Sequence, residues 1–462
     1  MRATRVLAAL AAIIVVAGLG LAAFAWRSEI DAIDPPERSA FDPETIARGA
    51  QLAAVGNCIA CHTVPGGQSF AGGLALPTPF GTIYSTNITP DPETGIGRWS
   101  EAAFRRSMRE GVDREGRHLY PAFPYDHYTR VTDEDVSALY AFLMTRRPVT
   151  AEAPENELPF PYNIRPLLAG WKLLYLDEGA FRPDPGQSEA WNRGAYLAEG
   201  LGHCGSCHTP RNRFGALEAD RHWAGGEAEG WTAYPIDETS PAPVPWNPES
   251  LAFYLRNGWH AHHGVSRGPM AEVTGNLRAL PDEDIEAIAI YTASVMGEPT
   301  PERLSQAEAL LAEAAGGPGA MIPAADSQAA PTAPAGRSGE AIYLGACSPC
   351  HDAGRPLPFG GLNLALSTAV NAPNPQNIVN MVYFGLPAAD GQASSVMPGY
   401  RGVISEDEMA ALLDYLRERF TDRPPWENLG EIVRATMTGE YHVRVLPSDG
   451  IERAPENVGA ED

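Results

Sequence analysis

Cys204-Gly205-Ser206-Cys207-His208 is the middle one of three copies of a five-residue pattern, Cys-x-x-Cys-His. The first copy is Cys58-Ile59-Ala60-Cys61-His62 and the third is Cys347-Ser348-Pro349-Cys350-His351. Two thiols at this spacing can add to the two vinyl groups of one porphyrin, and the adjacent histidine then reaches the iron. The three copies use all six cysteines of the chain, which leaves little room for a redox dithiol or half of a zinc site.

The pattern therefore predicts three covalently bound haems c. Their thioether links would be made by Cys58, Cys61, Cys204, Cys207, Cys347 and Cys350. Their proximal iron ligands would be His62, His208 and His351.

Length and charge agree with this prediction. At roughly 150 residues per domain, 462 residues suggest about three domains, which matches the number of motifs. The formal net charge of -24 repels phosphate backbones, so nucleic acid is excluded as a partner.

The amino terminus carries a hydrophobic segment. Residues 6–26 are uncharged and follow Arg2 and Arg5, and a stretch of about 20 apolar residues can span a bilayer. We expect a retained membrane anchor, although Ala23-Phe24-Ala25 also offers a signal-peptidase site. Either alternative places the rest of the chain on the periplasmic side of a bacterial inner membrane.

Helical patterns repeat around each motif. A helix is predicted before each one, over residues 47–55, 191–200 and 339–344, and an acidic helix start closes each repeat, at residues 132–135, 281–284 and 405–408. Acidic residues in a first turn favour helix formation, and Thr132 and Ser405 are expected to be N-caps. Between these helices each repeat has a shorter one that ends at a glycine: Gly111, Gly258 and Gly385.

We expect the distal iron ligands twelve residues beyond those glycines. That count gives Phe123, Met270 and Met397. Methionine sulfur is a common distal ligand of cytochrome c iron, so we expect Met270 and Met397 to ligate the second and third haems. Phenylalanine cannot ligate iron, so the first haem is either five-coordinate or bound by a nearby side chain.

Three side chains near Phe123 could replace the missing sulfur. They are His127, His118 and Met108, and we favour His127 because it follows the proline turn that should face the haem. A surface histidine, or a partner for a haem propionate, is the alternative for His127. His203 is expected to be structural or exposed, and His260, His262 and His263 to lie in a solvated loop rather than form a metal site.

These observations predict a mainly α fold of three tandem c-type cytochrome domains with long loops, preceded by a hydrophobic helix. The predicted segments are an anchor and spacer (1–40), domain 1 (41–150), an aromatic connector (151–185), domain 2 (186–300), a linker rich in Ala, Pro and Gly (301–338), domain 3 (339–420) and a tail (421–462). The connector should pack across domains 1 and 2, or else dock on a partner subunit or the membrane.

The chain resembles the triheme cytochrome c subunits of bacterial membrane-bound dehydrogenases that oxidise alcohols, gluconate, fructose and aldehydes. The resemblance rests on Tyr84-Ser85-Thr86-Asn87-Ile88-Thr89-Pro90-Asp91, Gly95-Ile96-Gly97-Arg98-Trp99, His118-Leu119-Tyr120-Pro121-Ala122, residues 156–171, Gly268-Pro269-Met270 and Val396-Met397-Pro398. In this family the loop often reads Pro-Ala-Met-Pro-Tyr, so Phe123 is a departure that puts the first distal ligand in doubt. The form found here looks most like the subunits paired with molybdenum hydroxylase-type dehydrogenases.

The resemblance implies that catalysis takes place on another chain. That chain would hold a flavin, quinone or molybdenum cofactor, and a small iron–sulfur or other subunit could accompany it. The cytochrome would pass electrons through three haems to ubiquinone or a terminal oxidase. Two alternatives stay open: a haem enzyme, such as a peroxidase or a thiosulfate-oxidising cytochrome, that uses an open first haem, and a cytochrome subunit of a respiratory oxidase complex.

Overall fold

Helices joined by long loops make up most of the chain. The structure is a computed structural model that describes residues 6, 18, 20–315, 338–388 and 394–440. The chain divides into two compact units. Unit 1 comprises Met1–Gly186, Tyr196–Ser206 and Asn212–Leu217, and unit 2 comprises Gln187–Ala195, Cys207–Arg211 and Glu218–Asp462.

Unit 1 contains the first Cys-x-x-Cys-His motif. Its helices are α1 (Pro43–Val55), α2 (Cys58–Cys61), α3 (Glu101–Glu110), α4 (Tyr125–Tyr128), α5 (Asp133–Met144) and α6 (Leu167–Tyr175), and a 3-10 turn covers Arg38–Ala40. Its strands β1 (Ala75–Thr78) and β2 (Gly81–Tyr84) form an antiparallel hairpin in which Ala75 pairs with Tyr84. A π-helical turn, Leu197–Leu201, precedes the second motif.

Helix α7 (Glu189–Tyr196) runs into that π-helical turn, and the elements after it belong mainly to unit 2. The helices are α8 (Gly205–His208), α9 (Pro248–Asn257), α10 (Pro269–Leu277), α11 (Asp282–Met296), α12 (Pro301–Ala315), α13 (Gly339–Ile342), α14 (Ser348–His351), α15 (Thr368–Asn371), α16 (Gln376–Phe384), α17 (Glu406–Phe420) and α18 (Leu429–Thr438). A second π-helical turn covers Tyr343–Cys347, and 3-10 turns cover Ala219–Arg221 and Leu364–Leu366. Two antiparallel hairpins pair β3 (Gly226–Ala228) with β4 (Trp231–Ala233) and β5 (Trp259–His260) with β6 (Gly264–Val265).

The helices predicted to open and close each repeat are confirmed, and each pair crosses at a glycine. A Cβ atom added to these glycines would lie only 1.9–2.0 Å from a backbone oxygen of the closing helix: Gly49 against Ala138, Gly194 against Ala287, and Gly339 against Ala411. No side chain fits in so short a gap, so glycine is required where the two backbones meet.

Capping and ion pairing fix the starts of the closing helices. The side chains of Thr132 and Ser405 accept hydrogen bonds from backbone N–H groups of α5 and α17, as predicted for N-caps. In the first two repeats the residue before the crossing glycine is an arginine. Arg48 binds Asp135 at 2.6 Å and Arg193 binds Asp284 at 2.7 Å, which links each opening helix to the first turn of its closing helix.

Unit 2 contains the third motif, together with Cys207 and His208 of the second motif. The amide of Asn377 on α16 donates to the carbonyl of Thr232 on β4 at 2.8 Å and accepts from the N–H of the same residue at 2.8 Å. Val244, Ala307 and Leu366 form a further apolar cluster. These contacts join chain segments on both sides of the predicted linker, while the domain boundaries remain predictions.

Helix α6 carries the apolar connector. It buries Ala169 and Lys172, while Leu173 and Leu174 are exposed. Lys172 Nζ donates at 2.6 Å to the carbonyl oxygens of both Glu110 and Gly111, at the end of α3. The alternative in which the connector docks on a partner subunit or the membrane requires exposed apolar side chains, and these two leucines provide them.

Parts of three predicted segments lie outside the described residues: most of the amino-terminal anchor, residues 316–337 of the linker predicted at 301–338, and the end of the tail. The first part of that linker is helical, since α12 covers Pro301–Ala315. Within the part of the chain that the structure describes, no helix combines the length and apolar character needed to cross a membrane.

Candidate haem-attachment sites

Each motif lies at or next to a short helix that follows its opening helix. Helix α2 contains Cys58 and Cys61, α8 contains Cys207, and α14 contains Cys350. Burial raises the pKa of the Cys58 thiol to about 12 and that of Cys207 and Cys347 to about 11. A catalytic redox cysteine needs a lowered pKa, so these thiols do not suit a redox dithiol.

The three motif histidines are held in the same way. In each, Nδ1 lies within hydrogen-bond distance of a backbone carbonyl oxygen: Thr86 for His62 (2.6 Å), Tyr234 for His208 (2.7 Å) and Leu362 for His351 (2.7 Å). A carbonyl can only accept, so Nδ1 carries the proton and Nε2 keeps its lone pair. Such a carbonyl fixes the tautomer and the ring plane of an iron-ligating histidine.

Burial lowers the pKa of all three histidines, against the opposing effect of the carbonyl bond. The rings are therefore neutral, as iron ligation requires.

The loops after the motifs deliver those carbonyl oxygens. Thr86 and Tyr234 follow the hairpins β1–β2 and β3–β4. The N–H groups of Gly72 and Gly225 donate to the carbonyls of His62 and His208, both at 2.8 Å. In the third repeat, which has a shorter loop, the N–H of Gly361 donates to Cys350 at 3.3 Å instead.

Met270 occupies the start of α10, directly after Gly268-Pro269. Gly268 has a φ of +57°, and a Cβ atom there would lie 2.6 Å from the indole ring of Trp231. Glycine is thus needed for the Gly-Pro-Met turn to pack on this tryptophan. Met270 is partly buried.

Met397 has a different backbone setting. It forms an antiparallel bridge with Leu386, with both hydrogen bonds at 2.8 Å, and packs against the core around α16 and α17. In the first two repeats the corresponding loop closes eight residues after its glycine, where Leu119 donates to Gly111 and Ser266 donates to Gly258. Phe123 and Met270 therefore occupy corresponding positions in their loops. Met397 does not, although it too lies twelve residues after its glycine.

Phe123 lies in the turn before α4. Its ring meets the edge of the Tyr128 ring at 5.2 Å between centroids. Burial, and then the nearby Cys58 and Cys61, raise the pKa of Tyr128, so this aromatic pair adjoins the first attachment site.

His127 is buried on α4, contrary to the surface alternative, with 5% of its area exposed. Its Nδ1 lies 2.8 Å from the carbonyl of Glu199, whereas its Nε2 has no hydrogen-bond partner within the described chain. This is the arrangement of the three motif histidines: one nitrogen is fixed by a carbonyl and the other carries a lone pair.

His118 does not have that arrangement. Its Nε2 bonds the carbonyl of Ala25 at 2.9 Å and its Nδ1 accepts from Lys172 Nζ at 3.0 Å. Both nitrogens are occupied, so His118 is a structural residue. Met108 is buried on α3.

The histidine-rich loop was predicted to be solvated, which is wrong for His263. Its ring stacks on Trp246 with centroids 3.5 Å apart, 6% of the residue is exposed, and neither ring nitrogen has a partner among the described residues. Nowhere in the described chain do three or more His, Cys, Asp or Glu side chains form a cluster that could hold a metal ion. A buried imidazole nitrogen without a partner, as at His127 and His263, fits a chain that also holds a group able to bind it, such as haem iron or a haem propionate.

Sequence reasoning missed the crossing glycines, the carbonyl oxygens that hold the histidines, and the burial of His263. A glycine at about the same distance before every Cys-x-x-Cys-His motif was the only available signal. With the crossing helices and three oriented histidines, the chain has the features of a c-type cytochrome.

Comparisons with known proteins agree. The family model described as Cytochrome c matches residues 46–147, and that described as Cytochrome C oxidase, cbb3-type, subunit III matches residues 334–416. The chain is 36% identical over 401 residues to the fructose dehydrogenase cytochrome subunit of Gluconobacter japonicus, covering 84% of this chain and 81% of that protein. It is 35% identical over 394 residues to the gluconate 2-dehydrogenase cytochrome c subunit of Pantoea cypripedii, covering 80% and 85%.

A third relative is longer. The chain is 45% identical over 419 residues to a nicotinate dehydrogenase subunit of Pseudomonas putida, covering 89% of this chain but 34% of that protein. The chain therefore spans about a third of this relative.

The chain belongs to the family of cytochrome c subunits of quinone-linked dehydrogenases. It binds haem c covalently and serves in electron transfer.

Proposed function

We propose that this chain carries three haems c and relays electrons, one at a time, from the catalytic subunit of a membrane-bound dehydrogenase to ubiquinone or another respiratory acceptor. The observation that carries the proposal is the threefold recurrence of one proximal arrangement: His62, His208 and His351 each have Nδ1 fixed by a backbone carbonyl, which leaves Nε2 for iron. Bound haem supplies reversible one-electron chemistry, and the protein supplies position and potential.

On the distal side we propose Met270, Met397 and His127 as the second iron ligands. Sulfur ligation raises the reduction potential, so the haems bound at Met270 and Met397 should be easier to reduce than the haem bound at His127. Support for His127 comes from its burial and from the unpartnered Nε2.

The catalytic partner is proposed to be a molybdenum hydroxylase-type dehydrogenase. The departure at Phe123 and the 45% identity to a nicotinate dehydrogenase subunit support this choice, because nicotinate is an N-heterocycle. We further propose that residues 6–26 anchor the chain on the periplasmic face of the inner membrane, as their length and lack of charge suggest.

A cytochrome subunit of a respiratory oxidase is the second candidate. It is favoured by the match of residues 334–416 to an oxidase subunit model, but that match covers the third repeat alone. Co-purification separates the two candidates, since the native complex would contain either a dehydrogenase large subunit or oxidase subunits.

The decisive experiment counts haem. We expect three haems and three irons per polypeptide in the matured full-length protein, and fewer than three would overturn the proposal. In a redox titration, the first haem should have a potential separate from the other two.

The ligand at the first haem is tested with His127→Ala, with the exposed His222→Ala as the control. We expect a six-coordinate first haem in the parent protein, and in His127→Ala a high-spin ferric signal and binding of carbon monoxide to the reduced protein. Binding of carbon monoxide by the parent protein would instead favour an open iron and the haem-enzyme alternative.

A further inference from the structure

His203 adjoins the second motif, and its backbone is unusual. It immediately precedes Cys204 and has a φ of +37°, in the left-handed region that non-glycine residues seldom adopt. Such conformations are strained, and they concentrate at functional sites. The conformation turns the imidazole towards the first motif.

A hydrogen bond joins the two motif segments. His203 Nε2 donates to the carbonyl oxygen of Gly56 at 3.3 Å. Gly56 is two residues before Cys58, and a Cβ atom added to it would lie 3.3 Å from the Cys58 sulfur. Because a carbonyl oxygen can only accept, Nε2 carries the proton of this hydrogen bond.

A second contact runs beside the first. The ring of Tyr128 meets the His203 ring edge-on, with centroids 5.8 Å apart, and Tyr128 lies near Cys58 and Cys61. Gly56, Tyr128, His203 and Cys204 all belong to unit 1, so these contacts lie within one unit.

We propose that His203 is the electronic bridge between the first and second haems. The route runs from the Cys58 thioether through the backbone to the Gly56 carbonyl, across the hydrogen bond to His203, and along one peptide bond to the Cys204 thioether. Tunnelling weakens far less along covalent and hydrogen bonds than across empty space. With haem bound at both motifs, one electron would pass along this route from a reduced iron to an oxidised iron, so that one iron would be oxidised and the other reduced, and no proton would move.

This inference rests on the proposed attachment of haem at both motifs, so haem content is measured first. The test then uses the full-length holoprotein and two variants, His203→Asn and His203→Gln. Asparagine tolerates the left-handed backbone but is too short to replace the imidazole, whereas the longer glutamine amide can still donate towards Gly56.

Pulse radiolysis would reduce one haem rapidly and follow the redistribution of the electron between the first and second haems. We expect a several-fold slower redistribution in His203→Asn, partial recovery in His203→Gln, and unchanged potentials and absorption spectra in both. In the reduced parent protein, NMR of labelled histidine should show a neutral, hydrogen-bonded Nε2–H at His203.

An unchanged rate in His203→Asn overturns the inference, and so does a slower rate explained by shifted haem potentials, since His203 would then have only a structural role. If either motif lacks haem, the proposed function fails instead, and the two failures are thereby distinguished.

Discussion

Gly194→Ala tests whether the glycine crossing holds the second repeat together. The new Cβ atom would lie 1.9 Å from the carbonyl oxygen of Ala287, 2.5 Å from its carbonyl carbon and 2.9 Å from the Cβ of Tyr291. Real Cβ contacts essentially never fall below 3.0 Å, so α7 and α11 would have to separate by about 1 Å. The obstacle is backbone, which cannot move aside as a flexible side chain can.

The magnitude follows from two opposing effects. Overpacking of a tight interior costs about 1–3 kcal/mol, and we take the upper end because a gap of up to about 1 Å also weakens neighbouring contacts. Alanine recovers about 1 kcal/mol through its higher helix propensity. The net loss is about 2 kcal/mol, which lowers the thermal midpoint by roughly 4–8 °C for a unit of this size.

The assay is thermal unfolding of the holoprotein followed by circular dichroism. Gly275→Ala is the matched control, because Gly275 lies in α10 of the same unit and an added Cβ atom meets nothing within 4 Å. That variant should gain about 1 kcal/mol. If both variants are equally stabilised, close contact at the crossing is not what requires glycine.

Two further outcomes are expected. Lys172→Met should flatten the pH dependence of stability, because burial, and then the charge of Arg27, lowers the pKa of Lys172 from 10.5 to about 7. Between these two values the unfolded chain binds more protons than the folded one, so the stability of the parent protein rises with pH from about 7 to about 10.5. Urea unfolding across this pH range measures the slope, and an identical slope in the variant would contradict the prediction. Asn377→Ala should destabilise unit 2 by about 1–3 kcal/mol, because both hydrogen bonds to Thr232 are lost. The control Asn257→Ala removes only a hydrogen bond to Phe253 within its own helix and should have a smaller effect. Equal shifts of the thermal midpoint in the two variants would contradict a stabilising role for the Asn377–Thr232 contact.

Local signals in the sequence predicted the helices well. The acidic starts, the caps at Thr132 and Ser405 and the glycines that end α3, α9 and α16 all depend on residues within a few positions of each other. Such features are determined by nearby residues, so one sequence is enough to find them.

Long-range partners were not predictable. The carbonyl that holds His62 lies 24 residues away and belongs to backbone, which any residue type can supply. By sequence alone, His118 is a candidate iron ligand. Its hydrogen bonds to Ala25, 93 residues away, and to Lys172 occupy both ring nitrogens and exclude that role. Met397 illustrates a different difficulty. It lies the same number of residues after its glycine as Phe123 and Met270 do after theirs, but its loop is closed by a different hydrogen-bonded pair, Leu386 and Met397.

On either side of segment 316–337, α12 ends at Ala315 and Ser338 caps α13, and both helices belong to unit 2. Ala307 on α12 packs with Val244 and Leu366, which come from opposite sides of that segment in the chain. We therefore expect the two flanking parts of the chain to stay associated without a covalent link. A gene split at this point should yield two polypeptides that reassemble, with the second and third attachment motifs kept on a single particle after the covalent connection is gone.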